Sequence, residues 1–309
     1  MGTNGKNIGN TNSDYARLIK PVFCFFLMIA CLNILPVNAE RLSLRKSAEP
    51  VEFKALATIE GQLPLSRIAE GKLDIRRAWF TGGATRYAHG VLGDKIEGAQ
   101  LVVETQAGIK LVAELPIYRV FEDLEPRLVD VNNDNKEEVL VVVSDQRQGA
   151  SLVVYGVVNQ ELVPLASTPF LGQAYRWLNP LGIGDFDGNG NKDIALVATP
   201  HIGGLLRLYH FDGKDLIQFA EYSGVSTHFI GSTELGLGVV VIASPRDFLL
   251  VPDQSRQRLL LLEWKATGWH IHDHLDLSNK LTSSLLPIGE NHWQFEDEMG
   301  VFYNISVIK

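Results

Sequence analysis

The stretch Leu152–Ala166, LVVYGVVNQELVPLA, overlays Leu206–Ala220, LRLYHFDGKDLIQFA, without a gap. Leu152 meets Leu206, Tyr155 meets Tyr209, Leu162 meets Leu216, Val163 meets Ile217 and Ala166 meets Ala220, all at an offset of 54 residues. A chain that repeats itself at this spacing folds each copy into one supersecondary unit and buries that unit's apolar face against neighbouring copies. Each copy is an apolar strand, a turn of polar residues or glycine, and a second strand, which is a hairpin. Leu259–Asp273 fits the same frame more loosely, and Phe80–Asp94 resembles Phe170–Asp185.

Beyond residue 90 the chain is built from short β-branched runs such as AQLVVE, EVLVVVS, DIALVAT and RLLLLEW, separated by turn residues. No long segment keeps a 3.6-residue apolar period, so the fold class is all-β. Loop-plus-strand starts fall near residues 92, 130, 185, 231 and 288, five units of roughly 40–55 residues. A unit of that length with about four strands is a β-propeller blade. The last unit has only residues 282–309, while Glu70–Gly83 resembles the outer end of a unit, Asn159–Gln173. N-terminal strands within residues 50–78 are therefore expected to complete the last blade, which would hide two sheet edges. The expectation is one β-propeller domain over residues 40–309, of about five four-stranded blades, with its clearest repeats at 125–170 and 178–222. A pair of β-sandwiches is the alternative, but sandwiches do not demand gapless internal overlays.

Two acidic loops stand in the repeat. In DFDGNGNKD the alternate positions are Asp185, Asp187, Asn189, Asn191 and Asp193. A hard cation takes six or more oxygens at about 2.3–2.6 Å, and alternate side chains of a tight loop can supply them. Side-chain oxygens are assigned to Asp185, Asp187, Asn189 and Asp193, and the main-chain carbonyl to Asn191. Gly188 and Gly190 allow the turns. DVNNDNKEE repeats the pattern with Asp130, Asn132, Asp134, the carbonyl of Lys136, and Glu138. It lacks the glycines, so Asn133 and Asn135 must take the left-handed conformations, which asparagine tolerates better than most residues. An EF-hand is excluded, because its twelfth position is Leu196 or Val141 instead of a bidentate Glu, and a strand follows in place of a helix. The other units, with GDKIEGAQ, GSTELGLG and GENHWQF, have lost the acids.

Two acidic loops, each followed by an apolar strand inside a repeat, resemble FG-GAP/VCBS-type repeats, the calcium-loop β-propeller repeats of integrin α-chain heads and of many exported proteins. The resemblance covers about residues 125–222 well and the rest by periodicity, and the chain lacks a clean FG…GAP signature. It implies two structural Ca2+ ions that link strands within a blade. One would be held by Asp185, Asp187, Asn189, Asn191 and Asp193, the other by Asp130, Asn132, Asp134, Lys136 and Glu138.

Residues 1–39 read as a signal peptide: Arg17 and Lys20 precede the apolar run PVFCFFLMIACLNILPV, and VNA ends at Ala39. A retained anchor and a lipobox-like MIAC, placing a lipid on Cys31, are the alternatives. The domain is thus expected to be exported, periplasmic or extracellular, without membrane insertion. Without the leader it carries 25 basic against 35 acidic residues, net −10, which argues against nucleic acid as a partner. Both cysteines, Cys24 and Cys31, fall in the leader, so the domain has neither a disulfide nor a thiol nucleophile.

Catalytic signatures are weak. There is no G-x-S-x-G, and the paired carboxylates are committed to the loops. GIGDFDGNG lacks the Lys and helix of a phosphate loop. His270, His272 and His274 alternate on one expected outer strand and so could share a face. Trp79, Arg86, Tyr87, Tyr175, Arg176, Trp177, His228 and Trp293 recur near unit starts, either as blade packing or as a binding cluster at one end of a channel. The expected function is a non-catalytic binding or scaffold module for a protein or glycan partner. A carbohydrate-active lyase or hydrolase and a lipid-anchored envelope assembly factor are the alternatives.

Overall fold

The computed structural model describes Met1, residues 40–51 and residues 58–308. The signal peptide, its Ala39 site, Cys24 and Cys31 lie outside the described residues. Among the described residues every regular element is a strand, and the strands form four antiparallel sheets.

The strands follow one another as four-stranded meanders. After β1 (Arg41–Lys46), the first meander is β2 (Ala69–Glu70), β3 (Ile75–Ala84), β4 (Glu97–Thr105) and β5 (Lys110–Glu114). Strand β6 (Arg119–Phe121) bridges it to the second, made of β7 (Arg127–Val129), β8 (Glu138–Asp145), β9 (Gly149–Val158) and β10 (Glu161–Ser167). The third is β11 (Leu178–Gly184), β12 (Asp193–Ala198), β13 (Gly204–Phe211) and β14 (Leu216–Val225). The fourth is β15 (Val239–Val241), β16 (Phe248–Pro252), β17 (Arg258–Lys265) and β18 (Gly268–Asp276). The fifth has β19 (Leu286–Gly289), β20 (His292–Glu296) and β21 (Phe302–Ile308), and β1 pairs with β21 to complete it.

Side-chain alternation stacks these meanders in a row. Successive residues of a strand point to opposite faces of its sheet. Val139, Val141 and Val143 of β8 share a core with Phe80 and Leu101 of the first meander, whereas Leu140 and Val142 share another with Ile194 and Leu196 of the third. Strand β12 splits likewise: Ala195 and Val197 pack with Leu249 and Leu260 of the fourth meander. In turn Phe248 and Leu250 pack with Trp293, Phe295 and Ile305 of the fifth, where Leu42 and Leu44 of β1 complete the layer. Strands covered on both faces read as continuous apolar runs. The last strands, β10 and β14, alternate between buried and exposed because one face meets water.

Three expectations need correction. The strand that completes the fifth meander is Arg41–Lys46, while Ala69–Glu70, inside the segment assigned that task, pairs with β3 in the first. The loop near residue 92 joins the second and third strands of its meander, and the one near 231 joins two meanders, so neither matches the loops at 130 and 185. The first meander's other face, with Trp79 and Val102, packs on Ile59 and Ile68 of the segment before it. Internal similarity misled here because outer strands of different units have the same half-buried pattern.

A chain beginning at Ser47 should melt lower and scatter more light on standing than one beginning at Glu40. Loss of β1 would bare the β21 edge and remove Leu42 and Leu44 from their core. Equal melting and scattering would remove β1 from any role in stability.

Candidate metal centre

The loop between β11 and β12 folds around its own acids. Asp185 accepts from the amides of Gly188 (2.8 Å), Asn189 (3.0 Å) and Gly190 (2.8 Å). Asp187 accepts from the Asn189 amide at 3.0 Å, Asn189 from the Asn191 amide at 2.7 Å, and Asp193 from the Phe186 amide at 3.1 Å. Gly188 and Gly190 have φ of 77° and 86°, the left-handed region where glycine escapes the Cβ penalty. The result brings carboxylate oxygens of Asp185, Asp187 and Asp193 within 4.8 Å of one another. Three like charges this close repel unless a cation lies between them, and an all-oxygen donor set suits a hard divalent ion.

Asp193 opens β12 and is fully buried. Burial pushes its carboxyl up to about 6, against the pull of His210. His210 stands opposite it on β13, with Nδ1 2.7 Å from Asp193 and Nε2 3.9 Å from Asp187. Sequence reasoning missed His210, and no repeat signal marks it, because Gly156 holds the equivalent place in the preceding unit.

The loop between β7 and β8 copies this path at an offset of 55 residues. Val131 donates to Glu138, Asp134 to both Asp130 and Asn132, Asn135 to Asp130, and Lys136 to Asp134. Asn133 and Asn135 take φ of 60° and 65°, as the missing glycines require. The closing acid differs. Glu138 is one methylene longer and accepts from the Val131 amide (2.9 Å) and from the Asn132 side-chain amide (3.0 Å). Asn132 thus presents a donor to the acid where Asp187 presents a carboxylate. Asp130, Asp134 and Glu138 do not draw together as closely as the acids of the later loop. Burial pushes Glu138 up to about 7, with Asp134 and Asp130 adding repulsion.

The first inter-strand loops of all five meanders are hydrogen-bonded in sequence. Lys72 and Leu73 donate their amides to the Glu137 carboxylate at 2.9 and 3.2 Å, and the Glu137 amide donates to Asp74 at 2.7 Å. Lys192 Nζ reaches the Asp130 carbonyl at 2.5 Å. Asp185 and Asp247 exchange two bonds, at 2.9 and 2.8 Å, and Ile242 and Asn291 exchange two more, at 3.1 and 2.8 Å. A cleft of about 350 Å³, lined by Asn132, Asn133, Asn189, Lys192, Asp193 and His210, lies between the two acidic loops.

Exchanging residues between the loops tests their shared backbone. Gly190→Ala should destabilise by about 1 kcal/mol, because its φ is left-handed although no atom lies within 4 Å of the added Cβ. Asn135→Gly should be neutral or stabilise by a few tenths of a kcal/mol. Urea denaturation of both variants measures the difference, and the reverse order would contradict the shared conformation.

The other candidates separate. His272 sits at a β-bulge opposite Leu261 and Leu262, lies tilted against the Phe248 ring and is 3.4 Å from Glu263 and from Glu40. The bulge takes His270, His272 and His274 out of simple alternation, and they form no metal-holding group. Trp79 lies under Arg77 and Lys110 on the far face of the first meander, and Trp293 is core. Arg86 donates to the Arg119 carbonyl, and the Arg176 carbonyl accepts from Ala150. Tyr87 and Tyr175 gather with His89, and Trp177 and His228 gather with His201, two histidines that sequence reasoning passed over. Beneath them fully buried Glu122, its carboxyl raised by burial, accepts from Ser144 and meets His89 Nδ1 at 2.6 Å.

Glu97, also buried, is pushed up to about 9 by desolvation, with Glu122, Asp94 and Asp123 adding repulsion. It is protonated in the folded chain and ionised in the unfolded chain between pH 4.5 and about 9. Stability therefore falls as pH rises through that window, by up to about 1.4 kcal/mol per unit. Glu97→Gln should flatten this part of the pH–stability curve. An unchanged slope between pH 5 and 8 would show that Glu97 titrates normally.

No family model matches the chain, and no curated protein matches it.

Proposed function

We propose that the chain is an exported, calcium-stabilised β-propeller of about five blades that serves as a non-catalytic binding or scaffold module for a protein or glycan partner. The observation that carries this reading is the position of the acidic loops. They are the second and third of five loops bonded in a row, and the later one gathers Asp185, Asp187 and Asp193 within 4.8 Å. An ion there would neutralise the three acids at the entry to β12 and hold that loop against both neighbours. Its donors would be Asp185, Asp187, Asn189 and Asp193 with the Asn191 carbonyl. Asp130, Asn132, Asp134, Glu138 and the Lys136 carbonyl would form a second site once Asn132 turned its oxygen inward.

Five meanders with cores between consecutive members support the propeller reading. So do contacts of the connection between the third and fourth meanders with the start of the first and its β3–β4 loop: Arg67 donates to the Thr233 carbonyl and Gly231 to the Val91 carbonyl.

At free calcium a hundredfold above Kd, each site would stabilise the fold by about 2.7 kcal/mol. The melting temperature should be higher in millimolar calcium than in chelator. Asp185→Ala should remove most of that difference and Asp130→Ala less. Identical melting with and without chelator would overturn the calcium reading. Capture of a partner from envelope extract by the wild type in calcium, and not in chelator, is expected of the scaffold role. Turnover of glycan substrates by the purified domain would favour the lyase or hydrolase.

A further inference from the structure

We propose that His201 and His228 form a transition-metal site whose two protein ligands are their Nδ1 atoms. His201 lies in the turn after β12, and His228 lies between β14 and β15. The site is at the opposite end of β12 from Asp193 and its chemistry is different.

The two Nδ1 atoms are 3.5 Å apart. Nitrogens bound to one tetrahedral zinc at about 2.0–2.1 Å stand about 3.3–3.4 Å from each other. The observed separation is long for a hydrogen bond, whose donor and acceptor prefer about 2.7–3.2 Å. It needs only a slight closure to hold a metal.

The protonation pattern fits. His228 Nε2 lies 2.9 Å from the Ser232 carbonyl. A carbonyl only accepts, so Nε2 carries the hydrogen and the neutral ring has its lone pair on Nδ1. A backbone carbonyl on the distal nitrogen is the usual orienting partner of a metal-bound histidine. Burial, the largest cause for each ring, holds both imidazoles down at about 4, so both are neutral near pH 7.

The rings are also fixed in place. His201 lies parallel to Trp177, 3° between planes with centroids 6.1 Å apart, and Trp177 donates its indole N–H to the Glu122 carbonyl at 2.9 Å. His228 is fully buried against the same indole at 4.8 Å. His201 is only partly buried and leaves a side for water or an external donor to fill the remaining positions. Imidazole donors select zinc, copper, nickel or cobalt over calcium. When the metal binds, a proton on His201 Nδ1 moves to its Nε2, and no net charge is lost from the neutral pair.

The test uses the chain from Glu40 to Lys309 without a histidine tag, in millimolar calcium. Titration with Co2+ should give ligand-field absorption saturating at one equivalent, and Zn2+ should displace it. His201→Gln, at the more exposed ring, should weaken Co2+ and Zn2+ binding by about tenfold or more, since loss of an orienting partner alone costs about 10–100-fold. Asp185→Ala and His89→Gln should bind Co2+ as the wild type does. Unchanged calcium-dependent melting of His201→Gln shows that the variant is folded. Absence of Co2+ or Zn2+ binding would overturn the proposal and leave an N–H···N contact between the rings. So would binding lost in Asp185→Ala and kept in His201→Gln.

Discussion

The rest of the structure depends on strands such as β8 and β12 being buried on both faces. In β8 the side chains of Val139, Val141 and Val143 belong to one core and those of Leu140 and Val142 to the next. A fully buried aliphatic side chain contributes about 1.5–3 kcal/mol. A middle meander standing alone would expose both apolar faces and leave most of that stabilisation unrealised. Each middle meander therefore needs both neighbours, and the meanders fold as a row. This also accounts for a domain that holds together without a disulfide, since both cysteines precede residue 40.

That arrangement puts a demand on the loops. A strand buried on both faces brings its first residue inside, and at β8 and β12 that residue is an acid, Glu138 or Asp193. A buried carboxylate is costly unless its oxygens are satisfied. Both loops curl back to donate amides to it, Val131 to Glu138 and Phe186 to Asp193. The later loop adds two further carboxylates at the same spot, which makes a cation the natural complement. Lys192, reaching the Asp130 carbonyl, ties the two loops into one unit.

Much of this was legible in the sequence, because it is local. The strand runs, the hairpin overlay at 54 residues and the two acidic loops are all set by spacing along the chain. The left-handed turns at Asn133 and Asn135 followed from their register with Gly188 and Gly190, and the backbone takes them. The difference between the two loops was less legible. It rests on one methylene in Glu138 and on which way Asn132 turns its amide. The strand that completes the fifth meander was misplaced because outer strands share a half-buried pattern, and pairing β1 with β21 is a contact across more than 250 residues.

By itself the sequence determined the all-β class, the repeat, and the acidic loops with their turn conformations, since these depend on periodicity and on residues within a few positions of each other. Only the tertiary structure decided which strand meets β21, that His210 would stand over Asp193, and that His201 and His228 would face each other beside Trp177. Those pairings join residues from separate turns and strands. Packing brings them together, and no spacing along the chain encodes it.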